Sequence, residues 1–333
     1  MTTISQTSAA KQENNEIFVG IDVAQDELVV HVLPTNQQLT VPNSDKGIKE
    51  LIKRFKKIQP KLILFEATGG LERNLLINLT AAGMPCVVLN PRQARRLAEG
   101  LGEHAKTDSI DAKVLAQVAS LKWFTPRPIP EQRTFEMNDL VTRRRQLVKM
   151  RTMAKNQLHA AKKQNHAAFI LRSHKKSITF FDKQIDEIDV KIQTMIDENI
   201  DWQKIDEIIQ SIPGCGPDIA KTLISGMPEM LTGSLNRHQV ASLAGVAPFE
   251  DQSGKRDGKA HIYGGRADVR PPLFMAAINV IKQPGVFKSL YDRLVADKKP
   301  KKVAITAVMR KLLTVINAMI KTKTLWNEHG VRS

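Results

Sequence analysis

The chain has 333 residues, enough for two or three domains with cores of their own. It carries 50 Lys and Arg against 34 Asp and Glu, and a net charge of +16 predicts a polyanionic partner, most simply nucleic acid. An anionic membrane surface is the rival partner, but we find no apolar run of the roughly 18 residues that a membrane-spanning helix needs. The two cysteines, Cys86 and Cys215, lie far apart and indicate neither a zinc site nor a disulfide framework, so a reducing cytoplasm is expected.

Short apolar runs alternate with amphipathic segments in the first third of the chain. Residues 1–15 are polar and are expected to form a disordered lead-in without a signal sequence. Three strands, a helix, a strand, a helix, a strand and a helix are then predicted. This is the order of an RNase H-like α/β fold with a mixed sheet and flanking helices. The predicted strands are 17–23, 28–33, 38–41, 61–66 and 85–89, and the predicted helices are 45–57, 71–82 and 112–121.

Four carboxylates stand at the ends of these elements. Asp22 ends the first strand and Glu66 the fourth, although acids are poor strand formers and are rarely buried without a partner. Asp108 and Asp111 lie three residues apart at the start of a helix, where like charges on one face repel unless a cation lies between them. A solvated first turn capped by Asp108 is the alternative. If the four acids converge, they predict a site for two Mg²⁺ or Mn²⁺ ions that grips a phosphodiester.

A nucleotide-driven enzyme is disfavoured. The turn Gly20-Ile21-Asp22 also occurs in actin-like sugar kinases and ATPases, which need a second Gly-rich phosphate hairpin. Here Gly69-Gly70 opens a helix without a hairpin partner, and no Walker-type Gly-Lys-Ser/Thr motif is present in the sequence.

A proline-rich linker over 125–130 is predicted to lead into a coiled-coil helical hairpin over 131–199. Between Arg143 and Phe181 there are eleven Lys or Arg and no acid, so a phosphate backbone is the expected counter-charge. Two other interpretations are a solvated face and pairing with the acidic second helix; the hairpin could also pair with another copy of the chain. The predicted nucleic-acid contacts are Arg143, Arg144, Arg145, Lys149, Arg151, Lys155, Lys162 and Lys163.

The last third begins near Trp202 with the pattern of a helix-hairpin-helix module over 208–221. Its Gly214 and Gly216 would let backbone amides approach a phosphate at the start of the following helix. An ordinary helix–helix turn is the alternative. A short helix is predicted over 237–244, and amphipathic helices over 273–282 and 303–320 are predicted to close this region.

The segment 245–259 is predicted to be irregular and Gly-rich. Within it, Ser253 would expose a hydroxyl beside Lys255 and Arg256, which draw in a phosphate. A lone serine in such a loop is most often a turn former. Residues 264–270 are expected to add further phosphate-facing groups.

Taken together, these motifs give the chain a resemblance to the DEDD-type transposases of bacterial insertion sequences, which are related to the Piv DNA invertase and described as bridge-RNA-guided recombinases. The motifs occur in the family's order over about residues 16–320. They are Gly20-Ile21-Asp22-Val23-Ala24, Phe65-Glu66-Ala67-Thr68-Gly69, Lys106-Thr107-Asp108-Ser109-Ile110-Asp111-Ala112, Ile212-Pro213-Gly214-Cys215-Gly216 and Leu243-Ala244-Gly245-Val246-Ala247-Pro248 with Ser253-Gly254.

The resemblance implies that Asp22, Glu66, Asp108 and Asp111 form the metal site of a RuvC-like domain. Ser253 would attack a DNA phosphate and hold the strand as a phosphoserine link. A dimer or tetramer is implied, in which the acids of one subunit complete a site with the serine of another. A non-coding guide RNA would pair with donor and target DNA.

The predicted organisation is therefore a lead-in, a RuvC-like domain, a linker with a coiled-coil hairpin, and a mostly helical transposase domain that carries the serine, over 1–15, 16–125, 126–200 and 201–333. The predicted protein is a DNA transposase or recombinase, cytoplasmic and associated with the nucleoid, with no membrane partner. A Holliday-junction-type metal-dependent nuclease that uses water, in which Ser253 has no role, is the first alternative. A non-catalytic coiled-coil protein that binds nucleic acid is the second.

Overall fold

The computed structural model describes residues 16–102, 108–126, 132–253 and 256–327, and only the backbone for 108–110, 250–253 and 256–260. The predicted lead-in and most of the predicted linker lie outside these residues. The chain divides into two compact units, Met1–Ile129 and Pro130–Ser333. The domain boundary near residue 200 remains a prediction.

The first unit contains a five-stranded mixed sheet with the order β3-β2-β1-β4-β5. Strands β1, β2 and β3 are antiparallel neighbours, whereas β1, β4 and β5 run parallel. This topology confirms the RNase H-like fold class. The elements are β1 (Phe18–Val23), β2 (Glu27–Leu33), β3 (Gln37–Pro42), α1 (Asp45–Ile58), β4 (Leu62–Glu66), α2 (Arg73–Ala81), β5 (Cys86–Leu89), α3 (Pro91–Gly100) and α4 (Asp108–Ser120).

Helices cover both faces of this sheet because apolar residues alternate between them. Val19 and Ile63 point to a core shared with α1 and α2. Phe18 and Leu64 point the opposite way, to a core shared with α3 and α4. Helix α3 was not predicted. Its start is nevertheless marked in the sequence, since the Asn90 side chain caps the helix and a proline follows at the first helical position.

The second unit is mostly helical and includes one β-hairpin. Its elements are α5 (Gln132–Lys163), α6 (Ala168–Asp197), α7 (Ile200–Gln210), α8 (Pro217–Gly226), α9 (Pro228–Leu231), α10 (Arg237–Leu243), β6 (Pro248–Ser253), β7 (Arg256–Ile262), α11 (Arg270–Val280), α12 (Val286–Ala296) and α13 (Lys301–Thr322). A short 3-10 turn, Ala267–Val269, precedes α11.

Helices α5 and α6 form the predicted helical hairpin. Leu147, Ala154 and Ala161 of α5 are buried, as are Ile185 and Ile192 of α6, which confirms the apolar seam. At the base of the hairpin, residues of both helices join one core with α7, α8, α11 and α13. Helix α13 is long and apolar enough to cross a membrane, but 56% of its most apolar stretch is buried inside the protein, as in the core helix of a soluble domain.

The prediction that residues 245–259 are irregular is wrong for most of this segment, because two strands lie in it. Strands β6 and β7 form an antiparallel hairpin that pairs Pro248 with Ile262 and Ser253 with Arg256, with an irregularity between Phe249 and Asp251. These strands were not predicted because neither shows the alternation of apolar and polar residues that indicates a half-buried strand. A hairpin of only two strands also lacks a large apolar face.

Candidate functional site

Asp22 and Glu66 lie side by side at one end of the sheet. Strands β1 and β4 are parallel and pair Ile21 with Phe65, so the next step of the register brings Asp22 beside Glu66. Neighbouring strands in a sheet are about 4.8 Å apart. Two acids separated in the sequence by β2, β3 and α1 therefore become neighbours, as predicted.

Both acids lie on the face of the sheet that α4 covers. Gly20, two residues before Asp22, is in direct contact with α4, because a Cβ atom added there would lie 2.1 Å from the Ala112 carbonyl oxygen and 2.3 Å from the Ala116 nitrogen. Leu64, two residues before Glu66, packs in the α4 core. Residues two apart on a strand share a face, so Asp22 and Glu66 share this one.

The direction of α4 brings its first turn to the same end of the sheet. Phe18 shares a core with Val118 and Ala119 near the end of α4, whereas Gly20 meets Ala112 near its beginning. One further step along β1 leads to Asp22 and, on the helix, to the turn that starts at Asp108 and contains Asp111. Strand β1, strand β4 and helix α4 therefore bring Asp22 and Glu66 to the end of the sheet at which α4 begins, and convergence of all four acids remains a prediction.

The described side chains do not by themselves form a metal site. Among them are Asp22, Glu66 and Asp111 but not Asp108, and within this set no group of three or more His, Cys, Asp or Glu is arranged to hold a metal ion. Asp22, Glu66 and Asp111 are half-buried, and each interacts with another residue. Metal ligation by the four acids stays a prediction.

Ser253 lies at the end of the β6–β7 hairpin where the chain passes from β6 to β7. It is the last residue of β6 and pairs with Arg256, the first residue of β7. The side chains of Ser253 and Arg256 lie outside the described part of the chain, and so does the whole of Lys255. The roles predicted for these three residues remain predictions.

Three of the arginines predicted to contact nucleic acid bind carboxylates of the chain itself. Arg144 donates to Asp189 at 2.8 Å, Arg145 lies 2.7 Å from Asp268, and Arg151 donates to Asp182 at 2.9 Å. Pairing between the basic and the acidic helix, the alternative interpretation, therefore accounts for Arg144 and Arg151. The other predicted contacts on α5 are exposed and make no ion pair within the described residues: Arg143, Lys149, Lys155, Lys162 and Lys163.

Asp189 is the centre of an ion network that was not predicted from the sequence. Its carboxylate accepts hydrogen bonds from Arg144 and, at 2.7 Å, from Lys221 on α8. Desolvation by burial raises the pKa of Asp189, but the two cationic donors outweigh it and hold that pKa below its usual value. The sequence does carry one sign of this network, because Lys221 lies in a stretch of α8 that also contains Ile219, Leu223 and Ile224, and the structure shows that Lys221 is buried.

The two glycines of the helix-hairpin-helix pattern differ in their surroundings. Gly214 has φ +97°, and a Cβ atom there would lie 2.9 Å from the Val280 nitrogen, so its missing side chain allows α11 to pack closely. Gly216 is exposed at the start of α8, with nothing within 4 Å of such an atom. Only Gly216 leaves space for an outside group, and contact with nucleic acid at either glycine remains a prediction.

Comparison with known families separates the chain into two matched regions. Residues 19–167 match a transposase model of the DEDD IS110 type, and residues 206–292 match the model of the transposase IS116/IS110/IS902 family. The chain belongs to the IS110 family of transposases. As a member of this family, the protein is an enzyme of DNA rearrangement, and its substrate is DNA. The first match contains all four predicted acids and the second contains Ser253.

Relatives of this transposase include a protein of similar extent. The pilin gene-inverting protein of Moraxella bovis is 26% identical over 321 residues, which cover 92% of this chain and 96% of that protein. The insertion element IS116 uncharacterized 44.8 kDa protein of Streptomyces clavuligerus is 29% identical over 123 residues, which are 36% of this chain and 30% of that one. Among solved structures, T. thermophilus RuvC in complex with a Holliday junction substrate matches 34% of this chain and 99% of its own, with 14% identity and a TM-score of 0.27.

Proposed function

We propose that this transposase cuts and rejoins DNA through two groups of residues, a carboxylate site in the first unit and the Ser253 hydroxyl in the second. The main support is the parallel β1–β4 register, which makes Asp22 and Glu66 neighbours on the face that α4 covers. A cluster of like charges at one end of a sheet is costly for a purely structural domain. It suits a domain that binds cations and phosphate.

The carboxylate site fits Mg²⁺ or Mn²⁺ because its ligands would all be carboxylate oxygens, the donors that hard divalent cations prefer. Asp22, Glu66, Asp108 and Asp111 would hold the metal, two ions in all. When bound, such ions supply positive charge that stabilises the developing charge on the scissile phosphate. The fold contributes a rigid support, since two acids end adjacent strands and two begin a helix that touches the sheet through Gly20.

In the proposed reaction, the Ser253 oxygen attacks a DNA phosphorus and forms a phosphoserine bond, while the bond from phosphorus to the leaving DNA oxygen breaks. The serine proton passes to a base, and the leaving oxygen takes up a proton. One phosphoester replaces another, so the strand can later be rejoined to a new partner by the reverse step without ATP. Following the family resemblance, the acids and the serine would come from different subunits of a dimer or tetramer.

A guide RNA transcribed from the element is proposed to choose the donor and target DNA. Lys155, Lys162 and Lys163, the exposed lysines on the outer part of α5, are suited to the phosphate backbone of this RNA. They have no carboxylate partner among the described residues. Reaction on chromosomal DNA places the protein in the cytoplasm, at the nucleoid.

Replacement of the serine tests this proposal. Labelled DNA from the end of the insertion element is incubated with the protein, Mg²⁺ and RNA transcribed from the flanking non-coding segment, then analysed on a denaturing protein gel. We expect wild type to leave label attached to protein and Ser253→Ala to leave none, because the attacking oxygen is gone. Ser289→Ala, an exposed serine on α12, is the control and should behave as wild type.

A phosphoserine adduct formed by Ser253→Ala would refute the assignment of the nucleophile. Cleavage by both proteins without any covalent adduct would instead identify a water-using nuclease. Asp108→Asn is expected to abolish cleavage while RNA binding remains, and unchanged cleavage in that variant would refute the role of the carboxylates.

A further inference from the structure

The segments that enter and leave the β6–β7 hairpin touch through their backbones. A Cβ atom added to Gly265 would lie 2.3 Å from the Gly245 nitrogen, and one added to Gly245 would lie 2.3 Å from the Gly264 carbonyl oxygen. The Arg266 amide also donates to the Leu243 carbonyl at 2.8 Å. The base of the hairpin is therefore closed so tightly that no side chain fits between its two ends.

Two arginines attach this closed base to the surrounding structure. The guanidinium of Arg266 donates to both carboxylate oxygens of Glu229, at 2.6 and 2.7 Å, and also to the Gly226 carbonyl at the end of α8. Arg270 donates to the Gly264 carbonyl. A bidentate pair fixes orientation as well as distance. Arg266 and Arg270 are therefore bound by groups of the chain itself, and the phosphate-facing role expected for residues 264–270 remains a prediction.

The ordered contacts continue from the base into the strands. The rings of Phe249 on β6 and Tyr263, just after β7, lie 4.1 Å apart between centroids, and His261 lies 5.7 Å from Tyr263. These rings tie the two strands together on the side of the base, while Ser253 lies at the other end. Orientation set at the base is thereby transmitted to the strands.

We propose that Gly245, Gly265, Arg266, Arg270 and Glu229 form a base clamp that positions Ser253 for attack on DNA. This inference rests on the proposed role of Ser253 as the nucleophile. Five residue steps along β6 lead from Pro248 to Ser253, about 16 Å at about 3.3 Å per step. A tilt of about 5° at the base would then move the far end by more than about 1 Å, a displacement large enough to cost about 100-fold in rate.

The members of the base clamp affect the reaction only indirectly. They do not touch the reacting atoms; they act through the hairpin. The clamp members are positioning residues, and their loss should slow the attack by Ser253 without changing how tightly DNA is bound.

Two adjacent glycines provide a matched test. Gly264 and Gly265 have φ of +70° and +61°, so alanine introduces similar backbone strain at both. Only at Gly265 does the new methyl group meet backbone, because nothing lies within 4 Å at Gly264. We expect Gly265→Ala to form the covalent DNA adduct at least about 10-fold more slowly than Gly264→Ala at saturating DNA. The DNA concentration for half-maximal rate should be the same for both variants.

Glu229→Gln provides a second variant in case Gly265→Ala does not fold. It keeps the shape of the side chain but removes the charge that orients Arg266. Adduct formation should slow, and trypsin should cleave the hairpin faster at Lys255, Arg256 or Lys259. Equal adduct rates and equal trypsin cleavage in wild type and Glu229→Gln would overturn the base clamp while leaving the proposed function intact.

If wild type itself forms no adduct, the proposed function fails. The trypsin comparison still decides whether the clamp holds the hairpin: unchanged cleavage in Glu229→Gln would refute the clamp on its own.

Discussion

At the scale of single residues, Asp22 and Glu66 owe their proximity to backbone pairing. Strand register sets their spacing, and the alternation of side chains turns both toward α4. A cation at this position would offset the repulsion between the acids, so binding should stabilise the folded protein by an amount that grows with the logarithm of the ion concentration relative to its dissociation constant.

The first prediction is therefore a metal-dependent gain in stability. At ten times its dissociation constant, Mg²⁺ or Mn²⁺ should stabilise wild type by about 1.4 kcal/mol, which raises the melting temperature by a few degrees. Asp22→Asn should lose this response. Asp26→Asn, an exposed acid in the turn that follows β1, serves as the control and should keep it. An equal response in all three proteins would contradict metal binding at the carboxylate site.

The sequence marks some of the candidate functional residues more clearly than others. Asp22 and Glu66 were recognisable because each follows an apolar strand, and Asp108 and Asp111 because they share a helix face. Asp189 and Glu229 gave little signal, because each acts through a partner more than 30 residues away. Such pairs depend on how the helices pack, which a single sequence does not reveal.

At the scale of elements, the ion network around Asp189 links α5 and α6 to α8. Arg144, Asp189 and Lys221 come from three different helices, and Asp218 at the start of α8 also lies 3.1 Å from Arg144. Asp218 therefore places a carboxylate at the positive end of α8. An anionic ligand at Gly216 would have this acid as a neighbour, which weakens its attraction to the helix terminus.

The second prediction concerns this network and pH. The pKa of Asp189 in the folded protein lies below its unfolded value, so its stabilisation is present above about pH 4 and is lost as pH falls through the folded pKa. Asp189→Asn should lower the free energy of unfolding by about 2 kcal/mol at pH 7. The difference from wild type should shrink toward pH 3. Urea unfolding at several pH values measures it.

Asp186→Asn is the control for that experiment, because Asp186 is exposed on the same helix. It should change stability by less than about 0.5 kcal/mol. A loss in Asp189→Asn that does not depend on pH would show that the carboxylate contributes by packing and not by its charge.

Predictions of elements succeeded where the pattern was regular. The five strands of the first unit and the long helices α5, α6 and α13 have clear periodicity, and the structure confirms them. Strands β6 and β7 and helix α12 were missed. The two strands are polar and short. Helix α12 begins directly after Gln283, Pro284 and Gly285, a stretch that reads as a loop.

At the scale of the whole molecule, the 50 Lys and Arg that give the net charge of +16 differ in whether they pair with an acid of the chain. Part of the positive charge is neutralised internally, as at Arg144, Arg151 and Arg266. Exposed lysines without a partner among the described residues remain on the outer part of α5. The cations free to contact nucleic acid are therefore fewer than the 50 Lys and Arg of the sequence, although the pairing leaves the net charge unchanged.

The third prediction separates local contact from total charge. A plot of the logarithm of RNA affinity against the logarithm of salt concentration has a negative slope. In the triple variant Lys155→Gln, Lys162→Gln and Lys163→Gln, the magnitude of this slope should fall by about 2, because each lost phosphate contact removes about 0.7 to 0.9. The matched control changes Lys49, Lys53 and Lys56 to Gln, which are exposed on α1 in the other unit. Equal slopes in the two triple variants would show that only overall charge matters.

The contact between Gly20 and α4 has a consequence for how mutations affect catalysis. Backbone meets backbone there, so the gap between sheet and helix is fixed without any intervening side chain. Core substitutions elsewhere in the first unit can loosen packing and yet leave the separation of Asp22 from the first turn of α4 nearly unchanged. Enlargement of residue 20 by a single methyl group forces the two layers apart, so even the small change Gly20→Ala should be poorly tolerated.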